Sequence, residues 1–280
     1  MQDQAGRVRR YYNKNTFWML LFGQGRGEGA IHRPVWTGAE RSRREALHTV
    51  ERLIAEALLS GQRPDRNENH ILDLGCGVGG SALWLAARYP LSITGITLSS
   101  FQTRSARRLA LRRGLNEHCR FLVANFNKLP EIRGITAAYA IESFSHGEDP
   151  AAFFDQVGNQ LPVGGQLILC DDFNATQGKS VLNKRAACLA RFREGWHLQS
   201  LMTAEDALRI AAQRGFSLVE KKDLTPYLRQ TPPFIRGLQH LAGRSLRWSA
   251  WGASMDGGSA LQICQKNGWT EYLFLVLQKR

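Results

Sequence analysis

A glycine-rich loop is the sharpest local signal in the sequence. The segment Ile71–Gly80, ILDLGCGVGG, runs from a short apolar strand through alternating glycines into the start of a helix. Glycines so placed let the backbone turn sharply and let a ligand approach the main chain closely. The first turn of the following helix adds free backbone N–H groups. The pattern therefore indicates a ligand-binding loop.

A carboxylate and an imidazole, those of Glu142 and His146, follow a second apolar stretch, Ile135–Ile141. Open parallel sheets bind ligands beyond the C-terminal ends of their strands, and both side chains are common proton-transfer groups. We therefore interpret Glu142 and His146 as candidate catalytic residues. The alternatives are a structural or cofactor hydrogen bond for Glu142 and a helix-capping role for His146 near Pro150.

Short strands and helices alternate along most of the chain. The predicted strands are 70–74, 91–98, 119–124, 135–141, 166–170, 216–221 and 272–277. The predicted helices are 40–59, 79–89, 99–113, 149–161, 203–214 and 258–267. This alternation predicts an α/β fold, a mostly parallel seven-stranded sheet with helices on both faces.

Composition limits the class of protein. With 280 residues, 43% of them hydrophobic, the chain can form one large domain with a buried core. No run of about 18 apolar residues is present, and Phe17–Phe22 is too short for a signal peptide, so we expect a cytoplasmic protein without a membrane span. The five cysteines are scattered, which predicts neither a zinc site nor a disulfide framework.

The net charge of +13 suits an acidic partner. Arginines at helical spacing over Phe101–Gly114 indicate the outer face of a helix. Two more basic groups lie in 179–193 and 229–247, and both of these segments also carry large aromatic residues.

The glycine loop also fits the dinucleotide fingerprint G-x-G-x-x-G through Gly75, Gly77 and Gly80. That fingerprint requires an Asp or Glu about 20 residues further on to bind the ribose. The corresponding segment, Thr94–Ser100, contains no acid. The sequence therefore argues against a nicotinamide dinucleotide.

The segment Asp73–Gly79 instead resembles the first motif of class I S-adenosylmethionine-dependent methyltransferases. In that motif the carboxylate at Asp73 organises the loop and approaches the ammonium group of the cofactor. The resemblance implies S-adenosyl-L-methionine as the cofactor. Because methyl transfer from a sulfonium needs no metal, no metal site is expected.

Further segments resemble the branch that contains sterol, tocopherol and other small-molecule C-methyltransferases. Gly95–Ser99 with Gln102 resembles its second-strand motif, and Ala140–His146 resembles its fourth-strand motif, in which a His lies four residues after a Glu. Leu161–Gly165 resembles the turn before the fifth strand. Tyr11–His32 resembles the segment that folds over the cofactor.

The resemblance implies a Rossmann-like single catalytic domain with an N-terminal and an inserted helical lid. Residues 1–69 would form the lid and first helix, 70–172 the cofactor-binding core, and 173–280 the rest of the core with an acceptor-binding cap at about 174–202 and 224–257. The implied cofactor-binding residues are Asp73, Gly75, Cys76, Gly77, Thr97, Leu98, Gln102, Asn125, Phe126 and Ile141. Asn125 departs from the usual acid-containing turn, although its amide oxygen can still accept from the adenine amino group.

The expected acceptor is a small lipophilic molecule of isoprenoid type. Methylation of an alkene carbon creates a carbocation, so a base must then remove a proton, and aromatic side chains would stabilise the cation. The expected substrate-binding residues are Tyr12, Phe17, Trp18, His32, Phe144 and Trp196. A pocket rimmed by arginines would suit a prenyl diphosphate. A transient contact of the basic surface with a membrane would instead serve a sterol or quinol.

Two other functions stay open at this point. An O- or N-methyltransferase of a small natural product would use Glu142 or His146 to deprotonate a heteroatom. An RNA-binding protein with this fold would account for the positive charge. However, no recognised RNA module is present, so no stable nucleic-acid partner is expected.

Overall fold

The computed structural model describes residues 29–60, 69–176, 182–245 and 249–280. Its strands are β1 (Asn69–Leu74), β2 (Leu91–Thr97), β3 (Cys119–Val123), β4 (Ile135–Ile141), β5 (Gln166–Asn174), β6 (Phe216–Asp223) and β7 (Thr270–Lys279). They form one seven-stranded sheet in the order β3-β2-β1-β4-β5-β7-β6. β7 runs antiparallel to β5 and β6, and the other neighbours are parallel. The predicted α/β fold is confirmed.

The helices are α1 (Arg43–Leu47), α2 (Thr49–Ser60), α3 (Gly80–Ala86), α4 (Ser100–Arg112), α5 (Pro150–Gln160), α6 (Leu182–Trp196), α7 (Ala204–Gln213), α8 (Pro233–Ser245) and α9 (Ala250–Lys266). Side-chain oxygens of Ser99, Asp149 and Thr203 cap the N-termini of α4, α5 and α7. The helix predicted over 40–59 is two helices, because His48 leaves the helical conformation. Among the described helices, none is long and apolar enough to cross a membrane.

Apolar side chains cover both faces of the sheet, as a mostly parallel sheet requires. Successive residues of β1 point to opposite faces. Ile71 packs in the layer formed with α2, α3 and α4, and Leu72 packs in the layer formed with α5 and α7. Packing on both faces fixes the positions of the C-terminal ends of the parallel strands.

From the sequence, no helix is predicted over α6, α8 or the first half of α9. These helices meet one another through glycine. Gly195 of α6 lies so close to Gly257 of α9 that a side chain at Gly195 would overlap the α9 backbone. Gly243 of α8 packs against the backbone at Asp256 in the same way. Contacts through glycine bury no apolar stripe, so no inward-facing stripe marks these interfaces in the sequence.

Candidate active site

A cavity of about 630 Å³ lies at the C-terminal ends of the parallel strands. The sheet side is lined by the glycine loop after β1 and by the residues that follow β2, β3 and β4. The opposite side is lined by residues 31–34, by Trp36, by Trp196 of α6 and by residues of α8 and α9. Its volume lies in the range of small-molecule sites. One continuous space therefore joins the glycine loop to Glu142, His146 and the helices of the cap.

The glycines of the loop adopt backbone conformations that other residues disfavour. Gly75, Gly77 and Gly79 have φ angles of 96°, 54° and 82°. A Cβ atom at Gly75 would lie 2.5 Å from the Cβ of Ser143. The loop is fixed from below, because the Gly75 and Cys76 N–H groups both donate to Ile96 O, at 3.0 and 2.9 Å. Gly75 and Gly77 thereby present main chain to the cavity.

The rest of the expected cofactor residues divide into two groups. Those that line the cavity with Gly75 and Gly77 are Thr97, Leu98, Gln102, Phe126 and Ile141. Thr97 donates to Gln102 Oε1 at 2.6 Å, so the end of β2 offers a hydroxyl and an amide and no acid.

The second group, Asp73, Cys76 and Asn125, lies outside the cavity lining. Asp73 is buried behind the loop, where the Tyr139 hydroxyl donates to it at 2.9 Å and burial raises its pKa to about 7. Asn125 Oδ1 accepts from the Asn127 N–H at 2.9 Å and closes a turn. A role for these three residues in holding the cofactor stays a prediction.

Glu142 occupies a strained position at the end of β4. Its φ of 48° lies in the left-handed region that favours glycine. Its Oε1 accepts three hydrogen bonds: from the Arg33 N–H at 3.0 Å, from Arg33 Nε at 3.0 Å and from the Tyr272 hydroxyl at 2.9 Å. These contacts hold the carboxylate in place on the cavity wall.

Arg33 connects Glu142 to a second buried carboxylate. Its guanidinium binds both carboxylate oxygens of Asp172, at 3.2 and 2.7 Å, and stacks on the Tyr272 ring at 4.1 Å. Burial alone would raise the pKa of Glu142, but the charges of Arg33 and His32 lower it below its ordinary value. Glu142 is therefore ionised at neutral pH.

His146 ends a short 3₁₀ helix, Phe144–His146, and lines the cavity on the same wall as Glu142. Burial lowers the pKa of His146 to about 4, so the imidazole is neutral at physiological pH. Phe144, expected to bind substrate, packs instead in the core against Phe153, Phe154 and Phe173. Its ring is apolar and only 2% exposed, so core packing accounts for it.

His32 lines the cavity and forms a buried ion pair. His32 Nε2 lies 2.8 Å from Glu51 Oε1, and the Ser81 hydroxyl donates to the same oxygen at 2.9 Å. Although burial opposes its charge, Glu51 raises the pKa of His32 to about 9. Glu51, itself buried, has its pKa lowered by His32 and His48. The pair ties the segment before α1 to α2 and α3.

This ion pair makes a testable prediction for stability. The pKa of His32 is above its unfolded value of 6.5, so the contribution of the pair is complete below pH 6.5 and is lost as pH rises through about 9. We expect the free energy of unfolding to fall by about 1 to 3 kcal/mol over this range. Glu51→Gln should remove this part of the pH dependence, as measured by denaturant unfolding. Identical pH profiles for the two proteins would contradict the assignment.

Of the other expected substrate residues, Trp196 lines the cavity and donates its indole N–H to Ser254 O at 3.1 Å. Tyr12, Phe17 and Trp18 lie outside the described residues. Several cavity residues were not among the expected site residues: Trp36, Arg229, Gln239, Trp251, Gln262 and Gln265, of which Arg229, Gln239 and Trp251 lie in the segment expected to form the acceptor-binding cap. The clustering of Trp and Gln in the second cap segment was the available signal.

The sequence analysis also missed the residues that hold Glu142. Arg33 follows the expected His32, Asp172 lies two residues beyond the predicted end of β5, and Tyr272 begins the last predicted strand. Nothing in their spacing relates them, because 109, 139 and 130 positions separate the bonded pairs Arg33–Glu142, Arg33–Asp172 and Glu142–Tyr272.

Comparison with known proteins agrees with this geometry. Residues 71–165 match a family described as a methyltransferase domain. The chain is 32% identical over 206 residues to the O-methyltransferase rstn1 of Aspergillus nomiae. The aligned region covers 70% of this chain and 84% of that protein. It is 26% identical over 214 residues to a 24-methylenesterol C-methyltransferase 2 of Oryza sativa, covering 75% of this chain and 57% of that protein.

The fold is also that of a solved geranyl diphosphate C-methyltransferase from Streptomyces coelicolor A3(2). The TM-score is 0.69 at 19% identity, and the match covers 100% of this chain and 98% of that one. That structure contains Mg²⁺, geranyl diphosphate and S-adenosyl-L-homocysteine.

A Rossmann-like sheet whose first strand leads into a glycine loop at the cavity is the arrangement of a methyltransferase-type cofactor site. The chain belongs to the class I S-adenosylmethionine-dependent methyltransferases, in the branch that includes the sterol C-methyltransferases. It is an enzyme that transfers methyl groups to small molecules and uses S-adenosylmethionine. The glycine loop fits this cofactor, because Gly75 and Gly77 expose main chain to the cavity at the C-terminal end of β1.

A substitution in the loop tests this fit. Gly75→Ala should weaken S-adenosylmethionine binding at least about tenfold, because its Cβ meets Ser143 and the φ of 96° is strained for alanine. Gly114→Ala is a matched control, since Gly114 also has a positive φ, 66°, but has open space around it. Calorimetric titration should show unchanged affinity in the control. Equal affinities for both variants would contradict the fit.

Proposed function

We propose that this enzyme methylates an alkene carbon of a small lipophilic acceptor of isoprenoid type. S-adenosylmethionine supplies an electrophilic methyl group carried on a sulfonium. The cavity supports the proposal, since it continues from the glycine loop to apolar cap residues that include Trp196, Trp251 and Leu261. An apolar acceptor in this space would exclude water from the methyl-transfer step.

The choice of reaction rests on the low pKa values of Glu142 and His146, which both line the cavity. A general base that deprotonates a hydroxyl works best with a pKa near the operating pH. Glu142 has a lowered pKa, and His146 has a pKa of about 4. Such weak bases suit a carbocation, which is a far stronger acid than an alcohol or a phenol. The fixed charge of Glu142 would also stabilise the cation while it exists.

The residues imply a division of roles between Glu142 and His146. Glu142 is ionised and pinned through Oε1, so we assign it to stabilising the cation and accepting its proton. His146 is neutral and borders the same space, so its ring can orient the acceptor or pass the proton on. In this scheme Arg33 and Tyr272 are positioning residues, because they act through Glu142.

The arginines of the cavity wall indicate where the anionic head group of an acceptor would bind. Arg43 and Arg229 line the cavity, and Arg229 stacks on Trp36. Arg191 is instead bound to Asp256, and Arg185 to a backbone carbonyl. If the acceptor is a prenyl diphosphate, Arg43 and Arg229 are the described arginines that we assign to its phosphates.

A second candidate function is O-methylation, which the 32% identity to an O-methyltransferase favours. With two weak bases on the cavity wall, this reaction would require an acceptor that is already ionised, such as an acidic phenol or a carboxylic acid. N-methylation of a neutral amine would likewise need no strong base.

Transfer of a labelled methyl group separates these functions. The enzyme is incubated with methyl-labelled S-adenosylmethionine and, separately, with prenyl diphosphates, sterols, quinols and phenols, and the product is identified by mass spectrometry and NMR. We expect label on carbon and a rate that is nearly flat between about pH 6 and pH 8, because Glu142 and His146 titrate below this range and His32 titrates above it. Label on oxygen, with a rate that follows ionisation of the acceptor, would overturn the alkene proposal.

A further inference from the structure

Helix α8 carries its apolar side chains on the outside of the protein. Phe234, Leu238 and Leu241 recur at helical spacing and form one stripe, with exposed fractions of 76, 50 and 63%. Ile235 is also exposed and extends the stripe. The apolar face of a surface helix normally packs on the core. This outward stripe therefore marks a surface for a partner.

The inner face of α8 is polar and is fixed to the protein. His240 Nδ1 lies 2.7 Å from Asp256 Oδ1, and Arg191 of α6 binds the same oxygen at 2.6 Å. Gln239 lines the cavity, and Gly243 packs closely on α9. These contacts set the rotation of the helix about its axis, so they hold the apolar stripe outward.

The segment that contains α8 is basic in its sequence. Leu224–Met255 contains four arginines and no Asp or Glu. An exposed apolar stripe beside basic residues is typical of helices that lie on an anionic lipid surface. A second copy of this chain fits less well, because each copy carries a net charge of +13 and the copies would repel one another.

The stripe lies beside the cavity. Arg229, Gln230 and Pro232, just before α8, line the cavity and are themselves exposed, so the cavity reaches the surface here. A helix docked by its apolar stripe would bring this opening to the lipid surface. A lipophilic acceptor dissolved in the bilayer could then enter without crossing water.

We propose that α8 is a membrane-docking helix whose apolar stripe inserts into an anionic bilayer and places the cavity opening at the lipid surface. The inference rests on the proposed lipophilic acceptor. Two observations support the proposal. The apolar side chains of α8 face outward, and the segment that contains α8 is basic and has no acidic residue.

Vesicle flotation of the full chain tests the proposal. Wild type should bind phosphatidylcholine vesicles that contain about 30% phosphatidylglycerol, should bind pure phosphatidylcholine weakly, and should be released by about 0.5 M NaCl. The double variant Leu238→Ser/Leu241→Ser should lose at least about tenfold in partition coefficient, because two apolar side chains leave the contact. The matched control is Leu111→Ser/Val163→Ser, at positions that are 68 and 73% exposed but lie outside the cap. It should bind like wild type.

Each outcome decides the question. No binding of wild type to the anionic vesicles, or full binding by a folded α8 variant, overturns the proposal. Sedimentation equilibrium that finds wild type dimeric and the α8 variant monomeric also overturns it, because the stripe would then be an interface between copies. If the double variant does not fold, as judged by its melting temperature and S-adenosylmethionine binding, Phe234→Ser replaces it.

The vesicle assay contains no acceptor and no methyl donor, so its result is independent of the reaction catalysed. Failure of the alkene chemistry would leave lipid binding unchanged, and failure of lipid binding would leave methyl transfer to a detergent-dispersed acceptor unchanged. The two proposals can therefore fail separately.

Discussion

Glu142→Gln should lower the rate of methyl transfer by about 10²- to 10⁴-fold, the usual contribution of a positioned proton-transfer group. The amide keeps an oxygen that can accept from Arg33 and Tyr272, but it removes the negative charge beside the reacting carbon. We therefore expect the loss in the chemical step, with S-adenosylmethionine affinity close to that of wild type. Single-turnover kinetics and calorimetric titration measure the two quantities separately.

Glu40→Gln is the matched control for this variant. Glu40 is a carboxylate that Arg52 and Thr49 hold in a similar way, but it lies outside the cavity lining. Its replacement should leave the chemical step unchanged. A Glu142→Gln enzyme with the full single-turnover rate would show that the reaction does not require the charge, and would remove Glu142 from the mechanism.

Arg33→Met should cost about 3 to 5 kcal/mol of stability, because removing one partner of a buried ion pair leaves uncompensated charge. The Arg33 side chain is 11% exposed, and its partners Glu142 and Asp172 are 13 and 3% exposed. Arg214→Met is the control. Its ion pair with Asp155 lies at the surface, where such pairs contribute below about 1 kcal/mol. Denaturant unfolding of the two variants measures the difference.

The cost of Arg33→Met should depend on pH in a defined direction. Burial raises the pKa of Asp172 to about 6 against the opposing charge of Arg33, and the same charge helps to hold the pKa of Glu142 below its ordinary value, so removal of Arg33 raises both pKa values. Carboxyl groups with raised pKa values bind protons on folding, and the variant then loses stability relative to wild type as pH rises. The difference between the two proteins should be larger at about pH 8 than at about pH 5. A difference that is constant with pH would contradict the assigned charges.

Local sequence determined the elements of the core and of the candidate cofactor site. The strand, glycine loop and helix of Ile71–Ala86 can be read directly, because turn geometry and helix initiation depend on neighbouring residues. The alternation of strands and helices gave the mostly parallel sheet. The position of Glu142 and His146 after β4 placed both at the ligand-binding edge, since that edge follows from strand direction alone.

Only the tertiary structure decided what holds Glu142. Arg33, Asp172 and Tyr272 come from the segment before α1, from β5 and from β7, and pairing across such distances leaves no periodic trace in the chain. The same limit applied to the cap. Helices α6, α8 and α9 meet through glycines, and α8 turns its polar face inward because an ion-pair network fixes it there. Sequence patterns assume that apolar faces point to the core, so the outward stripe of α8 could be seen only once the helices were packed.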